Sequence, residues 1–244
     1  MANKLVGIYC GHGKSTDGSW DPGTTYGNES EAALMLPITK AVAKCLKASG
    51  IDVDTDANNG NNINMVKQVA RANEKKVDIF VSIHCDYYKA PTGTMPLYVS
   101  AEGKKLATAI NKAVMTEMAL KTRGVAKRTD LYELTGTNMP ACIFETGSIR
   151  ADLSDLKKAD VYGRAIARGI CNYLKVSFNE GAFKIKTKGK LIVRKSVLLT
   201  SRKVDVLNEG ATYTIIETNK TGTRGKLKSG AGWITITSKY VERV

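Results

Sequence analysis

Three short apolar runs in the first 150 residues each end on a side chain able to do chemistry. Leu5–Gly13 (LVGIYCGHG) stops at His12 between two glycines, Val77–Asp86 (VDIFVSIHCD) carries His84 near its end, and Ala141–Gly147 (ACIFETG) reaches Glu145. Runs this short and apolar at successive positions suit strands covered on both faces, as in a parallel sheet. Between them lie windows with helical spacing. Glu31–Ser49 aligns Leu34, Ile38, Val42, Cys45 and Leu46, stops at Gly50 and can be capped by Asn28 or Ser30; Pro37 inside it predicts a kink or a split. Ile51–Thr55 and Pro96–Ser100 read as strands, and Asn58–Asn62 as a polar loop. Ile63–Lys76, Glu102–Leu120 and Asp155–Leu174 read as helices, while Leu131–Leu134 leads toward the Glu145 strand. The alternation predicts an α/β domain, a mostly parallel twisted sheet flanked by helices on both faces.

Near Lys175–Phe183 the pattern changes. Short alternating segments follow (Leu191–Arg194, Ala211–Thr218, Arg224–Lys228, Trp233–Thr237), separated by Gly, Asn and Ser and with no helical window, which predicts a small antiparallel barrel. The expected division is a first domain over 1–176, a linker over 177–183 and an all-β domain over 184–244.

Charge sharpens that division. The chain carries +14, of which residues 177–244 hold +9, from 14 Lys and Arg against 5 Asp and Glu. A basic module of this kind suits an anionic partner, and charge alone does not choose among nucleic acid, a membrane surface and an anionic polymer. No stretch approaches the roughly 20 apolar residues that a membrane-spanning helix needs, so no membrane insertion is expected. The start MANKLVGIYCGHG lacks a basic segment, a long apolar core and a cleavage site, which predicts synthesis in the cytoplasm without a signal peptide. Five scattered cysteines, three of them in the strand-like runs (Cys10, Cys85, Cys142), read as buried reduced thiols.

Two imidazoles and one carboxylate form a zinc set that leaves a fourth position for water, and water so held ionises near neutral pH. A second carboxylate then takes and returns the proton. Glu29 and Glu31, just past a glycine-rich loop, are both candidates for the ligand carboxylate, and Glu145 is the candidate base. A single histidine at a strand end is commonly a structural residue; two of them with a glutamate on a third strand end favour the metal site. Cys10 and Cys85 are rival nucleophiles, although residue 85 points away from residue 84 on a strand.

With GHG at 11–13, Asp21-Pro22-Gly23, the acidic helix start at Glu29–Leu36, Arg71–Asn73 ahead of DIFVSIHCD, Gly93-Thr94, Arg123-Gly124-Val125 and MPACIFETG at 139–147, residues 4 to about 175 resemble the zinc-dependent N-acetylmuramoyl-L-alanine amidases of bacterial wall-remodelling enzymes and phage endolysins. The resemblance implies that His12, a glutamate and His84 hold one zinc ion. It also implies that Glu145 is the catalytic acid/base and that the bond cut joins the lactyl group of muramic acid to L-alanine in peptidoglycan. The family's register selects Glu31: Leu34, Leu36, Val42 and Leu46 fall three, five, eleven and fifteen positions on, and Gly50 nineteen on. Counted from Glu29 the same positions include Lys40 and Lys44, so Glu29 reads as a solvated charge in the first turn. Cys85, Asp86 and Pro37 depart from the family pattern.

The tail resembles a bacterial SH3-like module through LIVR at 191–194, the Glu209-Gly210 turn and AGWI at 231–234. Trp233 and Tyr240 are its candidates for lining a wall-binding groove, although a Trp in so small a barrel is as often core. The expected partners are bacterial peptidoglycan and anionic wall polymers rather than nucleic acid. Lack of a signal peptide favours a phage endolysin that reaches the wall after release by a holin or by lysis. The rival readings are a catalytically silent wall-binding or nucleic-acid-binding protein, against which both histidines and two placed glutamates argue, and a cysteine peptidase.

Overall fold

Side chains alternate across a strand, so a run that is apolar at every position needs cover on both faces. The computed structural model describes residues 4–59, 62–219 and 221–244; Gly60 and Asn61 of the expected polar loop, and residues 1–3 of the N-terminal stretch, lie outside the described residues. Six strands form the first sheet: β1 (Leu5–Cys10), β2 (Asp52–Thr55), β3 (Ile79–Asp86), β4 (Met95–Tyr98), β5 (Ala126–Lys127) and β6 (Ala141–Ser148). Their order is β2-β1-β3-β6-β4-β5. The four central and left-hand strands are parallel, β4 runs antiparallel to β6, and β5 is parallel to β4.

The helices are α1 (Glu31–Ala48), α2 (Met65–Lys75), α3 (Ala101–Met118), α4 (Tyr132–Thr135), α5 (Leu153–Leu156) and α6 (Ala159–Leu174). On one face of the sheet Ile8, Val81, Ile83, Cys85 and Phe144 pack with Ile38 and Val42 of α1, Ile110 of α3 and Ile166 of α6. On the other, Tyr9, Phe80 and Ile143 pack with Val69 and Ala72 of α2 and Leu134 of α4. Helices therefore cover both faces, as the pattern requires.

Three local details of the helices stand out, the second of them a change from expectation. Helix α1 runs unbroken through Pro37; Ala33, whose carbonyl the proline cannot serve, and Pro37 itself are both exposed, so water can take up that carbonyl. The helix expected over Asp155–Leu174 is two, α5 and α6. The segment leading to the Glu145 strand folds as the single turn α4.

The first compact unit ends at Phe178 and the second spans Asn179–Val244. The second holds seven antiparallel strands, β7 (Phe183–Thr187), β8 (Leu191–Arg194), β9 (Lys203–Leu207), β10 (Thr212–Thr218), β11 (Arg224–Leu227), β12 (Trp233–Thr235) and β13 (Val241–Arg243). They are ordered β9-β8-β12-β11-β10-β7-β13 around Ile185, Val193, Ile215, Leu227 and Ile234. The expected closed barrel is, in its hydrogen bonding, an open sheet: among the described residues no pairing joins β9 to β13. Strand β13 has only three residues, which leaves little ladder with which to close.

Candidate metal centre

The three apolar runs converge at the carboxyl ends of β1, β3 and β6, where an open α/β sheet presents its ligand crevice. Past Cys10 the chain turns sharply: the Gly11 N–H donates to Ile83 O at 2.9 Å, and His12 takes φ of 62° in the left-handed region, rare for a residue with a Cβ. Two glycines make room for the imidazoles. A Cβ at Gly11 would lie 2.5 Å from the His84 ring, and one at Gly23 would lie 2.6 Å from the His12 ring and 2.7 Å from Glu31 Oε2.

Glu31 opens α1 behind the cap Ser30 and is 3 % exposed. Its Oε1 accepts the Cys85 N–H at 3.0 Å and its Oε2 the Thr24 N–H at 3.1 Å, so backbone fixes both oxygens. The same two oxygens face His84 Nδ1 at 3.0 Å and His12 Nε2 at 3.4 Å. One ligand atom from each of the three residues lies within 4.8 Å of the others. Ligands held tetrahedrally at about 2.0–2.1 Å from zinc stand roughly 3.3 Å apart, and the two carboxylate–imidazole distances bracket that value, so this donor set fits that ion in its chemistry.

The outer ring nitrogens are engaged as well. His12 Nδ1 meets Asp21 Oδ2 at 2.8 Å, and His84 Nε2 meets Ser82 Oγ at 3.0 Å. Burial alone lowers the His84 pKa, yet the Glu133 and Glu31 carboxylates outweigh it and hold the imidazole well above its ordinary value. Burial likewise works against ionised Glu31, and the two histidines more than offset it, lowering its pKa. Buried carboxylates converging on imidazoles make the centre receptive to a cation.

Glu145 is the register partner of His84 on β6, so its side chain leaves the sheet on the same face. Its Oε2 is buried and has no hydrogen-bond partner. Burial pushes its pKa up to about 7; the His84 charge pulls it down, while Glu31 and Asp86 push it further up.

Glu29 stands apart from this group and pairs with Lys157 at 2.6 Å. Cys85 and Cys10 lie in the core on the α1 side of the sheet, and burial pushes both thiols far above their ordinary range. In the second unit Trp233 is half-buried on β12 next to the core residue Ile234, hence on the opposite face. Tyr240 is 39 % exposed beneath the Lys239 ammonium, 5.3 Å from its ring centroid.

Sequence reasoning missed three residues around the histidines. Asp21 reads in the sequence only as a turn residue. Ser82, two positions before His84, shares its face by simple alternation and was legible. Glu133 sits on the one-turn helix α4, for which the sequence carries no periodic signal.

Comparison with known proteins points in one direction. The sequence model described as N-acetylmuramoyl-L-alanine amidase matches residues 6–175. A 38.4 kDa protein of Clostridium perfringens is 33 % identical over 147 residues, 55 % of this chain and 43 % of that protein, so the chain spans less than half of that relative's length. The endolysin of Bacillus phage SPP1 is 27 % identical over 179 residues, 68 % of this chain and 63 % of the endolysin. Among solved structures, the N-acetylmuramoyl-L-alanine amidase AmiC2 of Nostoc punctiforme superposes with a TM-score of 0.62 at 28 % identity, covering 70 % of this chain and 97 % of that one.

Proposed function

Because the chain belongs to the N-acetylmuramoyl-L-alanine amidase family, we propose that it hydrolyses the amide between the lactyl group of N-acetylmuramic acid and the L-alanine of the peptidoglycan stem, at a zinc ion held by His12, Glu31 and His84. The observation that carries this reading is Glu145, a half-buried residue whose carboxylate Oε2 is buried and unpartnered, set beside His84 and pushed up to about 7 in pKa by burial. When bound, zinc supplies a Lewis acid for the amide carbonyl and an activated water.

The chain's own residues do the rest. Backbone N–H groups of Thr24 and Cys85 pin Glu31 so that its oxygens face both imidazoles. Asp21 accepts the His12 Nδ1 proton and leaves the Nε2 lone pair free toward the centre, the usual carboxylate support of a metal-binding histidine. Glu145 takes the proton of the attacking water and returns it to the departing amine of L-alanine; a group with pKa near the working pH serves both transfers. A cysteine mechanism is opposed by the burial of Cys10 and Cys85, which keeps both thiols protonated.

We read the second unit as an SH3-like wall-binding module, supported by the charge of +9 over residues 177–244, by the half-buried Trp233 on the face of β12 opposite Ile234 and by the exposed Tyr240. The whole then acts as an endolysin-like lytic enzyme that meets the wall after release from the cytoplasm. The test is mass spectrometry of the products from purified peptidoglycan. Intact stem peptides with a free L-alanine amine, formed without chelator and absent with it, are the expected result. Products cleaved within the stem, unaffected by chelator and lost in Cys10→Ser or Cys85→Ser, would replace the metal reading with the cysteine one.

A further inference from the structure

We infer that Glu133 is a positioning residue for His84, holding the imidazole with its proton on Nε2 and its lone pair on Nδ1; this inference rests on the metal-centre reading above. Glu133 is 7 % exposed, and its Oε1 lies 3.5 Å from His84 Nε2 with no hydrogen-bond partner of its own. On the same side of the ring the hydroxyl of Ser82, which is fully buried, lies 3.0 Å from His84 Nε2. A buried carboxylate is costly unless a charge or donor faces it. The cationic or N–H-bearing side chain that faces Glu133 Oε1 at 3.5 Å is His84.

The tautomer follows from donor and acceptor counting. A neutral imidazole offers one N–H and one lone pair. Nδ1 faces the ligand candidate Glu31, so it must carry the lone pair if His84 is to bind a metal beside that carboxylate. Ser82 alone does not enforce that choice, because a hydroxyl can donate or accept. An ionised carboxylate can only accept. Glu133 Oε1 thus places an acceptor on the Nε2 side of the ring, and a Ser82 hydroxyl that turns its lone pairs toward Nε2 adds a second. Both then demand a proton on Nε2. Asp21 does for His12 at 2.8 Å what Glu133 does for His84, with the two ring nitrogens exchanged.

The test uses the full-length protein and zinc alone, with affinity read by competition against a chromophoric chelator. Loss of a partner behind a ligating histidine typically weakens metal binding about 10–100-fold. Glu133→Leu should fall in that range. Glu133→Gln, which keeps the shape and one acceptor oxygen, should lie between it and the parent. The second readout is spectroscopic, and the chain's two histidines make it tractable: in the zinc-loaded parent the His84 Nε2 proton should be protected from exchange, and in Glu133→Leu it should exchange measurably faster. Should the leucine variant not fold, the glutamine variant decides by the same two readouts. Zinc affinity and proton protection equal to the parent's in Glu133→Gln and in any folded Glu133→Leu overturn the inference. His84→Ala separates this outcome from failure of the site itself: parent and His84→Ala binding zinc equally well would remove the metal centre, and this role with it.

Discussion

Glu145 faces His84 across two hydrogen-bonded parallel strands, at the position where their registers align. The pairing matters because strands place groups more firmly than loops do. It is interrupted only past Glu145, where the register shifts before Ser148 meets Asp86. The candidate proton carrier and a candidate ligand thus share one rigid frame, while His12 and Glu31 arrive from a turn and a helix start.

Glu145→Gln should keep the fold and the zinc and lose activity about 10²–10⁴-fold, the usual contribution of a positioned acid/base. In the parent, activity should rise with pH through the region of 7, where Glu145 gives up its proton, and the residual activity of the variant should lack that limb. Turnover of muropeptide substrates across pH checks both. Near-parental activity in the variant would remove Glu145 from the mechanism.

The same residue should couple stability to pH. Its folded pKa of about 7 lies above the ordinary 4.5, so the folded state binds this proton more tightly than the unfolded chain does. That stabilisation is complete below 4.5 and is lost as pH rises through 7. Metal-free Glu145→Gln should therefore match the parent in thermal stability at low pH and exceed it above neutrality, each pKa unit being worth about 1.4 kcal/mol. Melting curves of the two proteins from acid to mildly alkaline pH provide the comparison. A constant difference across the range would mean that the carboxyl does not change its charge there.

His12→Ala, Glu31→Ala and His84→Ala should each lose stoichiometric zinc, whereas Glu29→Ala should retain it. Glu29 is held by Lys157 rather than by an imidazole, and an exposed pair of that kind contributes little to stability. Elemental analysis after dialysis measures the outcome. Zinc retained in Glu31→Ala and lost in Glu29→Ala would reverse the assignment.

Gly11→Ala should damage the centre more than the loss of a turn glycine suggests. Its new Cβ would fall 2.5 Å from the His84 ring, a distance no real contact tolerates, so either the ring or the turn must move. Reduced zinc affinity in a protein that still melts cooperatively is expected. Binding equal to the parent's would mean that the His84 ring has freedom the packing does not suggest.

How much of this was readable beforehand depends on how local each signal is. His12, His84 and Glu145 stand out because each ends an apolar run, and strand ends are where such a sheet presents ligands. Glu31 separates from Glu29 only through the register of the family the helix resembles, which the apolar positions Leu34, Leu36, Val42 and Leu46 match when counted from Glu31. Asp21 and Glu133 act across 9 and 49 positions of sequence on their histidines, and neither belongs to a periodic element, so no pattern announces them. The split expected at Pro37 does not occur, because the carbonyl that the proline leaves without a donor belongs to the exposed Ala33 and water can serve it.

The second unit should bind walls through charge first and shape second. Lys184 and Lys186 alternate with the buried Ile185 on β7 and are exposed, so they project from the outer face of the sheet, where an anionic polymer can reach them. Binding to a polyanion releases its counterions, and affinity then falls steeply with salt. Lys184→Gln with Lys186→Gln should flatten that dependence without unfolding the sheet, since neither side chain enters the core. Trp233→Ala should weaken binding even at low salt if its exposed face takes part in recognition. The measurement is retention of a fluorescent fusion of residues 179–244 on intact walls at rising salt, alongside lysis by the full chain and by residues 1–178. The truncated form should keep zinc and lyse cells less efficiently at moderate salt. No retention of the fusion at any salt, with full lytic activity in residues 1–178, would leave the +9 charge without a role in targeting.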